Sequence, residues 1–416
     1  MKQYLLFSRQ YGPLLGFGFT AFFFGNFGQS FFIAWFGAPI QQELGMSASA
    51  YSLAYSVATL GSAMSIVVLG ALIDRVHLGW YVAAVGTGLC LAMLTMAHVV
   101  GFWSLLAGFY LLRLCGQGLM PHTGISTMAR YFQLGRGKAM SIAASGTPFG
   151  EMVMPLLVVA ILGWLGWRGS WLLFAAVIPL VLLPLMWTLL RTIQVRHSLN
   201  PAVASRQNEG ESANEKAFRR RDVLRDPNFW LVLPLMLSGG FLVTGVFIHQ
   251  GFLLDARGWT PQWFALCFTV YGAMHWLGSL GTGVLVDRLS ARRVMRFYML
   301  PTLIGLIVLI YGQHPIWALV FMFLAGTSMG AGAPVMGALW AEVYGVRHIG
   351  AIRSLVTAFG VTSTSASPIL IGLAIDAQVT LNSQLVAGVI FMLSALLMGQ
   401  FAFRRRTHDA TQNNEL

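Results

Sequence analysis

Long apolar runs, separated by short polar segments, repeat along the whole chain. A helix needs about 20 residues to cross a hydrocarbon core about 30 Å thick, and each of these runs is long enough to do so. The pattern therefore predicts an all-α membrane protein with twelve spans: Gly12–Phe36, Ser49–Ile73, Gly79–His98, Gly101–Pro121, Ala139–Gly163, Ser170–Leu190, Phe229–Leu254, Trp263–Val286, Val294–Gly312, Ile316–Trp340, Ala351–Ile375 and Gln384–Phe403.

The composition supports the membrane class. Of the 416 residues, 56% are hydrophobic and only 10% are charged, whereas ordinary soluble domains carry about 25% charged residues. The three cysteines, Cys90, Cys115 and Cys267, all lie inside predicted spans without metal-type spacing. We interpret them as small buried hydrophobic residues, and the sequence predicts no metal site and no cofactor.

The basic residues predict the orientation, because Lys and Arg of short loops stay on the cytoplasmic side. With Met1 inside, 23 of the 26 Lys and Arg residues fall in cytoplasmic segments. Arg168 and Arg257 then lie outside, and Arg113 lies within a span. We therefore expect a multi-pass protein of the cell (inner) membrane with both termini in the cytoplasm. The net charge of +12 follows from this topology and does not call for a nucleic-acid partner.

The chain contains an internal repeat. The segment GALIDR at 70–75 matches GVLVDR at 283–288 at an offset of 213, which also carries Pro121 to Pro334 and Gly124 to Gly337. Further on, Ala129 and Ala139 match Ala341 and Ala351 at an offset of 212. The repeat predicts two pseudo-symmetric six-helix bundles, residues 1–190 and 228–416, joined by a polar cytoplasmic linker, residues 191–227. Parallel repeats of this kind build transporters that hold their substrate between the halves near the membrane midplane.

The repeated GALIDR and GVLVDR segments, each at the end of a span, resemble the G-x-x-x-D-R signature of the major facilitator superfamily. In that family the Asp and Arg close a cytoplasmic gate through salt bridges. The resemblance implies the major facilitator fold, transport by alternating access and no enzymatic activity. It assigns the gate role to Asp74, Arg75, Asp287 and Arg288, with Arg353 and either Arg130 or Arg136 as their partners.

Two further segments resemble one branch of this superfamily in particular. ARYFQLGRGKAMSIAASGTPFG at 129–150 and AEVYGVRHIGAIRS at 341–354 are similar to the monocarboxylate transporter and oxalate–formate exchanger branch. Carriers of monocarboxylates in that branch commonly have an Asp and an Arg in span eight. Here His275 and Ser279 occupy those two positions, so the resemblance does not fix a monocarboxylate as the substrate.

Two strongly ionic residues lie deep in the predicted spans, Arg113 in span four and Glu151 in span five. A guanidinium cannot lose its proton, and at a bilayer centre it costs roughly 2.5–3.5 kcal/mol on insertion scales. At 1.5 Å per residue the two side chains lie within roughly 6 Å of each other in depth. One interpretation is a buried structural lock. The other makes Arg113 the counter-charge of a substrate carboxylate and Glu151 its partner in the empty state, which carries the coupling proton.

Weaker candidates for substrate contact are Asn26 and Gln29 in span one, His249 in span seven, and His275 and Ser279 in span eight. Each is an uncharged or titratable polar residue within an apolar run, and such residues commonly face a bundle interior. A histidine there is also often no more than a hydrogen-bonded interior residue.

These features favour a secondary transporter of a small organic anion, a carboxylate, coupled to protons or to a counter-anion and working as a monomer. A second hypothesis is a carrier of neutral or amphipathic compounds in which Arg113 and Glu151 are structural. A third is a transporter-like receptor that binds without transport. An integral membrane enzyme would need a cluster of catalytic side chains at one interface, and the sequence has none beyond the gate residues.

Overall fold

The computed structural model describes residues 2–132, 135–198, 220–345 and 348–403. Every regular element within these ranges is helical. The chain divides into two compact units, Met1–Gly210 with Phe247–Gly251, and Glu211–Val246 with Phe252–Leu416. The prediction of an all-α fold is confirmed.

The first unit contains ten α-helices: α1 Lys2–Gly25, α2 Ser30–Ile33, α3 Gly37–Leu44, α4 Ala48–Ala71, α5 Leu78–Ala97, α6 Phe102–Leu111, α7 Met120–Tyr131, α8 Arg136–Ala144, α9 Gly146–Val177 and α10 Leu183–Ser198. Short 3-10 segments at Asn26–Gly28, Ala34–Phe36 and Leu72–Asp74 connect or extend them, as do π-helical segments at Leu112–Leu119 and Ile178–Leu182.

Nine more helices follow: α11 Arg220–Arg225, α12 Pro227–Ile248, α13 Gln250–Arg257, α14 Pro261–Leu289, α15 Ala291–Met295, α16 Leu300–Tyr311, α17 Ile316–Tyr344, α18 Ile349–Asp376 and α19 Leu381–Phe401. The junction between α12 and α13, Phe247–Gly251, is grouped with the first unit. Side-chain caps begin several spans: Ser47 accepts from the Ala50 N–H at 3.2 Å, and Thr260 from the Trp263 N–H at 3.3 Å.

All twelve predicted spans coincide with helical segments. By length and composition, eight segments of the described residues meet a strict measure of a membrane-crossing helix. One of these eight, Arg136–Ile193, covers both the fifth and the sixth predicted span. This segment is kinked at Gly166, whose φ of +65° favours a residue without a Cβ.

The outer surfaces of the helices suit hydrocarbon. Large apolar side chains such as Met64, Val67 and Trp164 are more than three-quarters exposed, while Arg113 and Glu151 are buried. Exposed apolar and buried polar residues are the arrangement expected of helices in a bilayer. The predicted linker begins within α10, which continues to Ser198, and residues 199–219 of it lie outside the described residues.

Candidate substrate site

The first predicted span is broken in its middle. Helix α1 ends at Gly25, a 3-10 turn follows over Asn26–Gly28, and Gln29 is extended with φ −79° and ψ 150° before α2 begins. Asn26 and Gly28 are fully buried. Backbone that leaves the helix at membrane depth is tolerated only where protein covers it, so neighbouring spans must cover this break.

The fourth span covers the break from one side. Its segment Leu112–Leu119 is π-helical and packs against Asn26–Gly28. A Cβ on Gly116 would lie 2.6 Å from the Gly28 nitrogen and 2.8 Å from the Gly28 Cα. The two backbones therefore meet in direct contact, and glycine is required for this approach. π-bulges frequently mark functional sites.

Arg113 lies in this π-helical segment and is 3% exposed. Its Nη1 donates to the Gly28 carbonyl oxygen at 3.1 Å, and its guanidinium carbon lies 5.1 Å from the centre of the Tyr55 ring. Its Nε has no hydrogen-bond partner among the described residues. The predicted pair with Glu151 is not among these contacts and stays a prediction.

Two tyrosines on α4 form the wall next to Arg113. Tyr51 and Tyr55 are fully buried, and their rings meet the Phe109 ring edge-on with centres 5.3 and 5.8 Å apart. The Tyr51 hydroxyl has no hydrogen-bond partner within the described part of the chain, whereas the Tyr55 hydroxyl interacts with the side chains of Ser30 and Thr59. The site therefore combines one buried cation with two buried phenol groups. Sequence reasoning missed the tyrosines, although two tyrosines four residues apart in an apolar run were a usable signal.

The fifth span covers the break from another side. Asn26 Nδ2 donates to the carbonyl oxygens of Gly146 at 3.3 Å and Thr147 at 3.2 Å. A Cβ on Gly150 would collide with the Asn26 side chain. The next residue, Glu151, is 6% exposed. One break in the first span thus contacts both segments that carry the buried charges.

The remaining candidates fall in different places. Gln29 is half-buried at the break. His249 is 6% exposed at the α12–α13 junction, with its Nε2 3.0 Å from Ser52 Oγ on α4. His275 and Ser279 are half-buried on α14 in the second unit. The structure therefore brings Asn26, Gln29 and Arg113 to one break, places His249 beside α4, and leaves the α14 pair in the other unit.

The predicted gate residues differ between the units. Asp74 forms an ion pair with Arg130 at 2.9 Å, and Arg130 also donates to the Ile73 carbonyl oxygen at 3.3 Å. Of the two predicted partners, Arg130 rather than Arg136 makes this contact. Arg75, Arg136, Asp287, Arg288 and Arg353 are all exposed, and Arg353 donates to the Gly337 carbonyl oxygen at 3.0 Å. Their gating role stays a prediction.

The two basic residues predicted outside, Arg168 and Arg257, each join separate segments of the chain through hydrogen bonds. We call each set of bonds an arginine clamp. Arg168 donates to Glu43 Oε1 at 2.8 Å and to the carbonyl oxygens of Ala97 at 2.9 Å and Val99 at 2.8 Å. Hydrogen bonds from Arg168 and then Trp167 lower the pKa of Glu43 below its ordinary value. The Arg168 guanidinium thus joins α3 to the carbonyl end of α5, where a cation is favourable.

In the second unit, Arg257 at the end of α13 makes a similar set of hydrogen bonds. Arg257 donates to the Leu309 carbonyl oxygen and, at 2.6 Å, to Asn382 Oδ1. It therefore ties the carbonyl end of α16 to the start of α19. The sequence does not indicate the partners of these two arginines, because both clamps join segments that are far apart along the chain.

Comparison with protein families gives the class of the molecule. The family model described as Major Facilitator Superfamily matches residues 18–260 and 240–416. The two matches together cover nearly the whole chain, and the protein belongs to this superfamily of membrane transporters. The buried charges and the broken span therefore lie in a secondary transporter that works by alternating access.

Solved structures agree on the fold. A bacterial homolog of the human lysosomal transporter Spinster, in an inward-facing and unoccupied conformation, superposes with a TM-score of 0.74 at 16% identity, covering 95% of this chain and 98% of that one. A point mutant of the nucleoside transporter NupG gives 0.70 at 12% identity, with 94% and 100% covered. A search of curated proteins found no match. The monocarboxylate branch stays a prediction.

Proposed function

We propose that the protein transports a small organic anion, a carboxylate, and that Arg113 is the counter-charge that binds it. The observation that carries the proposal is the environment of Arg113. Its guanidinium is 3% exposed, and its contacts in the described residues are one carbonyl oxygen and one aromatic ring. Arg113 forms no ion pair within the described part of the chain.

A buried guanidinium without a carboxylate is costly, because the attraction of a counter-ion normally offsets the loss of hydration. A cation over an aromatic face recovers roughly 2 kcal/mol when desolvated. A substrate carboxylate would supply the missing charge, and a guanidinium fork suits bidentate contact with it. The Tyr51 hydroxyl, which has no partner among the described residues, is a donor that the bound anion would use.

Glu151 is the proposed proton carrier. It is buried and follows directly on Gly150, which packs against Asn26 at the break. In this scheme, a substrate that takes the positive charge of Arg113 leaves the Glu151 carboxyl as the group that carries the coupling proton. The coupling is to protons in this scheme, and to a counter-anion if Glu151 keeps its charge throughout.

The other polar candidates take supporting roles in the proposal. Asn26, Gln29, His249, His275 and Ser279 are the further residues proposed to contact substrate. Arginine and aspartate residues at the ends of the spans, with Asp74 and Arg130 already paired, would form the gate. The protein would work as a monomer in the cell membrane, with both termini in the cytoplasm.

One observation favours a second function. The hydrogen bond from Arg113 to Gly28 braces the break in the first span, and a purely structural Arg113 would suit a carrier of neutral or amphipathic compounds. The two hypotheses predict different substrates. The receptor hypothesis differs from both because it predicts binding without uptake.

The test is uptake into proteoliposomes of a panel of carboxylates and neutral compounds, with and without a pH gradient. We expect uptake of a carboxylate that Arg113→Gln abolishes and Arg113→Lys retains weakly, because a point charge survives while the fork is lost. The matched control is Arg191→Gln, which removes an exposed arginine stacked on Trp187 at 5.1 Å. Uptake of neutral compounds alone, unchanged in Arg113→Gln, would reject the anion proposal.

A further inference from the structure

The second unit contains an apolar crevice of about 470 Å³ between α14, the α15–α16 segment and α17. We call it the arginine crevice. Its apolar wall includes Leu285, Leu289, Phe297, Pro301 and Ala331. Leu285, Leu289 and Phe297 are exposed on the helix surface. An exposed apolar wall on a membrane-spanning bundle contacts lipid, so the crevice opens to the bilayer.

Two arginines, Arg293 and Arg296, line the same crevice. They are three residues apart, just beyond the end of α14. Arg296 is half-buried, and its Nε has no hydrogen-bond partner among the described residues. The neighbouring Arg292 is used elsewhere, because it donates to the Glu342 carbonyl oxygen at 3.0 Å.

Acidic groups are close to one end of the crevice. Arg293 also lines an adjoining polar cavity together with Asp287, Arg288 and Glu342. Glu342 Oε1 accepts from the Ala291 N–H at 2.7 Å. Arg296 does not line that cavity. The arginine crevice therefore keeps a net positive charge at the end of the span that is rich in basic residues.

The internal repeat supplies a natural control. The first unit has a crevice of about 260 Å³ in the same place, lined by Leu72, Val76 and Trp80 among others. The offset of 213 carries these three residues to Leu285, Leu289 and Arg293. The same offset carries Ala83 to Arg296. The duplicated fold thus makes a lipid-facing crevice in both units, and arginines were placed in only one.

We propose that the arginine crevice binds one anionic phospholipid. Its phosphate contacts Arg293 and Arg296, and an acyl chain lies along the wall formed by Leu285, Leu289 and Ala331. From Leu289 to Thr282, the deepest α14 residue of the crevice, the wall extends about 10 Å at 1.5 Å per residue. Basic pockets between membrane helices at a basic membrane face are suited to anionic headgroups.

The test measures lipid binding to the purified full-length protein by native mass spectrometry during titration with phosphatidylglycerol or phosphatidylcholine. We expect one phosphatidylglycerol to remain bound under conditions that remove phosphatidylcholine. Arg293→Gln with Arg296→Gln should weaken phosphatidylglycerol binding at least about tenfold, because two charge-assisted hydrogen bonds are lost. Arg293→Lys with Arg296→Lys should retain most of the binding, and Arg191→Gln all of it.

A gain of binding tests the proposal even if the glutamine variant fails to fold. Trp80→Arg with Ala83→Arg introduces the two arginines into the crevice of the first unit, and a second phosphatidylglycerol should then bind. Glycerol phosphate, which has no acyl chain, should not compete. Equal retention of the two lipids, unchanged binding in the glutamine variant, or full competition by glycerol phosphate would each overturn the proposal.

Discussion

The fourth span of the first unit and the tenth span of the second are related by the repeat. They differ in helix geometry and in buried charge. In the fourth span, Arg113 lies over Tyr55 inside a π-helical segment. The offset of 213 replaces Arg113 by Gly326 and Tyr55 by Phe268. The tenth span, α17, is one continuous helix of 29 residues.

In the tenth span, glycines allow close packing against a neighbouring helix. A Cβ on Gly326 would collide with the Tyr271 backbone, and one on Gly330 would lie 2.9 Å from the Ser279 nitrogen. Helix α17 therefore packs directly on the backbone of α14. The second buried charge is also restricted to the first unit, because Ser363 stands where the repeat places Glu151. The first unit thus holds both deep charges, and the second holds a helix pair in direct backbone contact.

The largest expected effect is on packing in the second unit. Gly330→Ala places a methyl group against the backbone of His275 and Ser279, which cannot move aside as a side chain would. We expect a loss of about 2–3 kcal/mol in unfolding free energy, typical of an overpacked core. The control Gly118→Ala meets mainly the flexible end of Ile66 and should cost less than about 1 kcal/mol. Thermal unfolding in detergent measures both, and equal losses would remove the contrast between the spans.

A smaller effect is expected at the gate. Asp74 pairs with Arg130, whereas the offset of 212 places Glu342 where Asp287 would need an arginine. Asp74→Asn should therefore raise the labelling of a reporter cysteine from the cytoplasmic side, while Asp287→Asn changes it less. An exposed ion pair of this kind contributes roughly 0.2–1 kcal/mol. The rate of cysteine labelling should therefore change by a few fold. A larger response to Asp287→Asn would reverse our assignment of the gate.

The smallest expected effect distinguishes the two arginine clamps by pH. The pKa of Glu43 is lowered in the folded protein by its hydrogen bonds with Arg168 and Trp167, so this clamp stabilises the fold above the ordinary carboxyl range. Its contribution is lost as the pH falls from about 4.5 through the lowered value. The Arg257–Asn382 clamp does not titrate. Glu43→Gln should therefore make the unfolding free energy less dependent on pH in the acid range. Asn382→Ala should lower the unfolding free energy by the same amount at every pH. Identical pH profiles for both variants would contradict this.

The sequence allowed the twelve spans, the repeat and the two deep charges to be predicted, because apolar length and motif register are local properties. It did not allow the break at Asn26–Gln29 or the π-helical segment around Arg113 to be predicted. Both depend on two backbones meeting at Gly28 and Gly116, 88 positions apart in the chain. The glycines in each span were visible, but hydrophobic periodicity does not indicate which of them face each other.

The central claim is that Arg113 carries the charge that binds the substrate, and the most direct test is a double variant. Arg113→Gln with Glu151→Gln removes both buried charges together, so neither is left stranded in the membrane interior. We would measure its thermal stability and its uptake of the carboxylate identified by the panel. The account predicts a folded protein that no longer transports this anion. Full uptake by the double variant would contradict it and would make the two charges structural.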